Sequence, residues 1–120
     1  MLKDILPEKN IYKTELYGHS WEIEVKMLSY KAKQEYFATV LKNKRIKGEE
    51  IEVSNISVSD LLDSFKVLFF NGLVSLKIDG QEEKIDKETY EYLINNLASA
   101  CEWVQKCIME HNGNFFLAKK

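Results

Sequence analysis

Apolar and polar residues alternate strictly near the start of the chain. Tyr12, Thr14 and Leu16 alternate with Lys13, Glu15 and Tyr17; Trp21, Ile23, Val25 and Met27 then alternate with Glu22, Glu24 and Lys26. Successive strand side chains point to opposite faces, so this period predicts two half-buried strands. Gly18-His19 supplies the turn, and residues 11–27 read as a hairpin. Ser29 then stands where a helix N-cap would. After it, Tyr30, Phe37, Val40, Leu41 and Lys44 follow helical spacing, which predicts an amphipathic helix over 30–44, with Gly48 to end it.

Beyond that helix, Glu49 to Val53 reads as a short edge strand, and Ser54 to Val58 shows no clear period. Ser57 or Ser59 caps a second helix, with Leu61, Leu62, Phe65, Leu68 and Phe69 on its buried face and Asn71-Gly72 at its end. Val74, Leu76 and Ile78 alternate with Ser75, Lys77 and Asp79 in another strand. Asp79-Gly80 is a hairpin signal, and the return segment, Gln81 to Ile85, is too polar for anything but an edge. Asp86 caps the next helix, with Ile85 and Tyr90 at the two positions of a hydrophobic staple. Tyr90, Ile94, Leu97, Cys101, Val104 and Ile108 keep a 3.6-residue period with no breaker, so 87–111 is one long helix or two collinear ones, ended by Asn112-Gly113. The expected fold is α+β: a small antiparallel sheet of hairpins with two to three helices, one of them long and near the C-terminus. Residues 1–120 form one domain, with 1–10 as an arm and 112–120 as a tail.

Composition narrows the function classes. The chain has 120 residues, 45% hydrophobic and 30% charged, with a net charge of −2. Those proportions suit one globular domain. They lack the basic excess of a general nucleic-acid binder. No apolar run approaches the length of a membrane span. The opening MLKDILPEKN mixes charges into its apolar residues and does not read as a signal peptide. Cys101 and Cys107 are six residues apart in one helical pattern, about 9 Å of rise, which is too far for a disulfide. Two unpaired thiols point to a reducing compartment, so a cytoplasmic location is expected.

Candidate chemistry is sparse. His19 and His111 share no zinc-like spacing with another ligand. The carboxylates Glu49, Glu50, Glu52, Asp60, Asp63, Glu82, Glu83 and Asp86 sit in charge runs, caps and turns. No nucleophile elbow or glycine-rich phosphate loop is present. The expectation is therefore a non-enzyme without cofactor or metal. Lys42 to Lys47 carries four cations but no aromatic near enough to stack a base; it suits a solvated helix end and, less well, a contact with an acidic protein surface or a nucleic-acid patch. Trp103 falls beside the apolar stripe, near Ala100 and Cys107, and Phe115-Phe116 follow a helix end in a polar tail. Such aromatics either fold back onto the domain or mark a protein–protein contact.

The run from His19 to Ser29 resembles the early strand of the tail assembly chaperones of long-tailed bacteriophages, a strand that leads into leucine-serine and a helix. Ile78-Asp79-Gly80 followed by Asp86 and a long helix resembles that family's later turn, and Ile108 to Asn112 with Phe115-Phe116 resembles its ending. The resemblance spans residues 12–117. It implies a non-enzymatic protein that binds the helical tape measure protein during tail morphogenesis, self-associates and acts in the host cytoplasm. It also implies a longer frameshifted form, with which Lys119-Lys120 is compatible. Partner contacts would then fall to Trp103, Cys107, Phe115 and Phe116, with Phe69 and Phe70 beside them. The competing expectation is another small phage or prophage protein, such as a head–tail connector component, or another protein–protein interaction module; neither reading needs nucleic acid or a membrane.

Overall fold

Two hairpins form the sheet, and the strand that carries Trp21 lies near its centre. The structure is a computed structural model that describes residues 1–41, 46–47, 50–51 and 58–113. Strands β1 (Lys9–Leu16) and β2 (His19–Lys26) pair antiparallel, as do β5 (Leu73–Ile78) and β6 (Gln81–Glu83); β2 and β5 join them, giving the order β1-β2-β5-β6. A separate pair, β3 (Ile46–Lys47) and β4 (Glu50–Ile51), replaces the single edge strand expected after residue 48. The helices are α1 (Tyr30–Leu41), α2 (Val58–Gly72), α3 (Lys87–Asn96) and α4 (Ala98–His111). The fold is α+β, with four α-helices among the described residues where the sequence predicts two to three. No described helix is long and apolar enough to cross a membrane.

Both sheet hairpins turn on two residues with positive φ, Tyr17-Gly18 and Asp79-Gly80. That is the backbone twist a two-residue hairpin requires. The first turn falls one residue before the expected Gly18-His19, and β1 begins at Lys9, inside the expected arm. Trp21, Ile23, Val25 and Leu76 are buried on one sheet face, with Tyr12, Leu16 and Ile78 half-buried around them. Helix α4 packs across β1 and β2, while α2 lies against β5, α1 and α4. The opposite face carries a row of directly paired charges, in which Lys13 opposes Glu22, Glu22 opposes Lys77, and Lys77 opposes Glu82. Opposite charges across strands favour that register.

Four expected apolar positions shift. In β5, Glu24 pairs with Ser75 but Val25 pairs with Leu73, so Val74 is the extra residue of a bulge. Leu73 therefore takes the core position expected for Val74, which is only half-buried. In α1, Ser29 Oγ accepts the Ala32 N–H at 3.1 Å as an N-cap, but the buried side is Ala32 and Tyr36, and Tyr30 is exposed. In the first turns of α2, Asp60 and Ser64 occupy the inner side, which leaves Leu61 and Leu62 exposed. Of the two caps expected there, Ser57 lies outside the described residues and Ser59 is inside the helix.

The run over 87–111 divides at Leu97, whose φ of −128° and ψ of 73° are not helical. No proline or glycine causes this. In a continuous helix the Ser99 N–H would bond back to Asn95; instead it donates to the Tyr17 hydroxyl at 3.0 Å. A tertiary partner thus stands in for the side-chain cap that Leu97 cannot provide. After the break the buried stripe runs through Ala100, Val104, Cys107 and Ile108, and before it through Tyr90 and Leu93 rather than Ile94.

At the other end of α4, Asn112 is buried. Its Oδ1 accepts the Leu28 N–H at 2.8 Å, and its Nδ2 donates to the Ile108 carbonyl at 2.8 Å. Beside it, a Cβ on Gly72 would stand 2.8 Å from Ile108 Cγ2 and 3.3 Å from Leu28 Cδ2. Gly72 therefore does more than end a helix: it allows α2 and α4 to approach. Gly72→Ala should cost about 1–3 kcal/mol through overpacking. Asn112→Ala should also cost about 1–3 kcal/mol, because it strands a buried N–H. Urea denaturation would measure both; an unchanged midpoint in either variant would show that the junction relaxes freely.

Candidate functional site

The two hairpin turns lie side by side. Asp79 accepts a hydrogen bond from the Ser20 N–H at 2.9 Å through Oδ1 and contacts His19 Nδ1 through Oδ2, while its own N–H donates to the Ser20 carbonyl at 2.7 Å. These bonds, first that from His19 and then that from Ser20, hold the Asp79 carboxyl below the usual carboxylate range. The Trp21 ring sits under the turns, with Nε1–H donating to the Leu16 carbonyl at 3.1 Å and the Tyr17 ring 6.4 Å away.

Next to this clamp, between the β5–β6 edge and α3, is a cleft of about 540 Å³. Its floor is apolar: Trp21, Leu76, Ile78, Leu93 and Leu97. Tyr92, 60% exposed, stands at its mouth. Its rim carries four carboxylates, Glu82, Glu83, Asp86 and Glu88, against Lys84. Asp86 is also the cap of α3: its Oδ1 accepts the Thr89 N–H at 2.9 Å, which lowers its pKa. A cleft with an apolar floor and an acidic rim can hold the apolar side of a peptide or helix whose flanks are basic.

The contact residues expected from sequence are not gathered in this cleft. Phe69 is 0% exposed and Cys107 is 3% exposed, so both belong to the core and offer no surface to a partner. Helical phase explains the correction: each lies on the inward stripe of its helix. Trp103 is half-buried and packs against the core. Phe70 keeps 37% exposure at the edge of an aromatic cluster, with ring centroids 5.0 Å from Phe69 and 5.6 Å from Tyr90. In the same cluster Tyr90 stacks on Phe65 at 5.7 Å and donates its hydroxyl proton to the Leu62 carbonyl at 2.8 Å. Phe115 and Phe116 lie outside the described residues, as do residues 42–45 of the basic run and Gly48. Sequence reading missed Tyr92 and the acidic rim because no period marks a cleft; the clue was the density of carboxylates over 82–88, read only as turn and cap.

The remaining groups are placed for structure. His111 Nε2 donates to the Glu8 carbonyl at 3.1 Å, and the Met27 N–H donates to the same oxygen at 3.0 Å. Both thiols are free; burial first, then Glu102 beside Cys101 and Glu110 beside Cys107, pushes each up to about 11. They are therefore held as thiols at neutral pH, and native protein should react with a thiol reagent far more slowly than unfolded protein. Comparisons with family models, with characterised proteins and with solved structures give no significant match.

The Asp79 clamp sets a pH dependence. A carboxyl whose folded pKa is depressed contributes stability above its unfolded pKa and loses it as pH falls through the folded value. Stability should therefore decline below roughly pH 4. Asp79→Asn keeps a residue that tolerates the positive φ. It should be less stable than the parent at pH 7 and approach it at low pH, as read from urea midpoints. Parallel curves at all pH values would remove Asp79 from the pH response.

Proposed function

We propose that this chain is a non-enzymatic binding protein of the phage tail assembly chaperone kind, which holds a helical segment of the tape measure protein until the tail is built around it. The observation that carries the reading is the cleft with the apolar floor and acidic rim. An amphipathic helix presents apolar residues at i, i+3, i+4 and i+7, and such a face needs an apolar groove. The carboxylates would steer a partner with basic flanks, and their exposure makes the attraction salt-sensitive.

The order of elements also supports the reading. The β2 strand runs into Leu28-Ser29 and then α1, and the Asp79-Gly80 turn precedes the Asp86-capped helix. Both features match the pattern that the resemblance rests on.

Co-expression with any long helical protein that the neighbouring DNA encodes tests the proposal. The chain should raise the partner's soluble yield and co-purify with it. Tyr92→Ala should weaken that retention while leaving the melting temperature nearly unchanged, because the ring is mostly exposed. Trp103→Ala should instead lose about 2 kcal/mol of stability, less than the about 3–5 kcal/mol of a fully buried tryptophan. Equal solubility of the partner with and without the chain, or a neighbourhood with no long helical reading frame, would sink the proposal.

A further inference from the structure

We propose that the open edge of β1 receives an extended segment of a partner protein as an added strand, one that carries two carboxylates four residues apart. This surface is separate from the cleft, and the proposal does not rest on the cleft's occupant.

The two edges of the sheet are unequal. Strand β6 has three residues, whereas β1 has eight, and no described residue pairs with its outer side. The Met27 N–H donates to the Glu8 carbonyl, which fixes the phase of the ladder. In an antiparallel pair, positions that bond the neighbouring strand alternate with positions whose N–H and C=O point away. Asn10, Tyr12, Thr14 and Leu16 therefore bond to β2. Lys9, Ile11, Lys13 and Glu15 direct their backbone groups outward, where an added strand would pair with them.

Charge selects the strand. On the open face the row Glu82, Lys77, Glu22, Lys13 alternates in sign and stops at a cation. An added strand continues it with a carboxylate opposite Lys13. Lys9 stands opposite Lys26, and neither makes an ion pair among the described residues. Like charges directly opposed are destabilising, so a second carboxylate beside Lys9 relieves that pair. Between the two lysines Ile11, 52% exposed, takes an apolar neighbour. On the other face Tyr12 and Leu16 are half-buried, and the added strand covers their open sides. A second copy fits less well: on the open face its β1 offers Glu15 as the one carboxylate, and its β6 offers Glu82. Edge lysines also deter strands without carboxylates, which makes the pairing selective.

Amide hydrogen exchange of the purified chain tests this, read by NMR with and without an excess of the synthetic peptide acetyl-Thr-Glu-Val-Ile-Val-Glu-Thr-amide. No tape measure protein is present, so failure here is separable from failure of the cleft reading. Exchange should slow by about threefold or more at Lys9, Ile11, Lys13 and Glu15 and change little at Asn10, Tyr12 and Thr14. The same peptide with both Glu replaced by Lys should give no such pattern. Lys9→Glu should weaken binding about three- to tenfold. It should leave the urea midpoint unchanged or raised, because it removes the like-charge pair, and so separates a binding role from a structural one. Protection of the four outward amides in the free chain would overturn the inference: it would assign the edge to the chain's own residues if independent of concentration, and to a second copy if it grows with concentration. Equal protection by the Lys peptide, slowing at both sets of amides alike, undiminished binding by Lys9→Glu, or no response at millimolar peptide would overturn it too.

Discussion

Three stretches of chain meet at one point. Leu28, just after β2, Gly72 at the end of α2, and Ile108 and Asn112 at the end of α4 are in mutual reach, and β5 starts one residue later at Leu73. The junction combines two constraints that cannot be met separately. The Leu28 N–H is buried and needs an acceptor, and the Asn112 carboxamide supplies it only if α4 ends at that point. Helix α4 can end there only because Gly72 has no side chain to hold Ile108 away. The rest of the sheet's helical cover follows from this placement, since α4 then lies along β1 and β2 with Val104 and Ile108 over the strand core.

Much of the sheet was legible because a strand repeats every two residues. Trp21, Ile23 and Val25 are buried as their alternation requires, and Asp79-Gly80 and Asp86 form the turn and cap their identities announce. Helical phase was harder. A 3.6 period fixes a face only to within about a residue, and contacts between elements settle the rest. Leu93 is buried beside Ile94 through the packing of α3, and the break at Leu97 then sets a separate phase in α4, where Ala100 is buried beside Cys101. That break has no local signal, since its cause is a tyrosine hydroxyl from a distant turn. Ala32 was passed over because it is small, and Val74 was misplaced because a bulge leaves no mark in the pattern. The cleft was the least legible part: it is made by residues from β2, β5, β6 and α3 that converge only in three dimensions.

One edge of the sheet is poorly suited to pairing. Strand β6 is three residues long, polar and exposed, which makes it a poor template for another strand. The row from Lys13 to Glu82 gives that face alternating charge, beside the exposed Ile11. The cleft, by contrast, rests on rigid supports: the clamped hairpin turns, the buried Trp21 and the capped start of α3.

The way α4 is finished also bears on how the chain can be made. Its first turn is capped by Tyr17, and Asn112, the residue that caps its end, is tied to Leu28, across sequence separations of 82 and 84 residues. An isolated helix of this length is marginal in water, and α4 draws part of its end capping from the first hairpin and the residue that follows it. That hairpin in turn keeps Trp21, Ile23 and Val25 uncovered until α4 arrives. During synthesis, the early sheet must wait on the ribosome with an apolar face open, and the domain closes in one late step that joins its first and last elements.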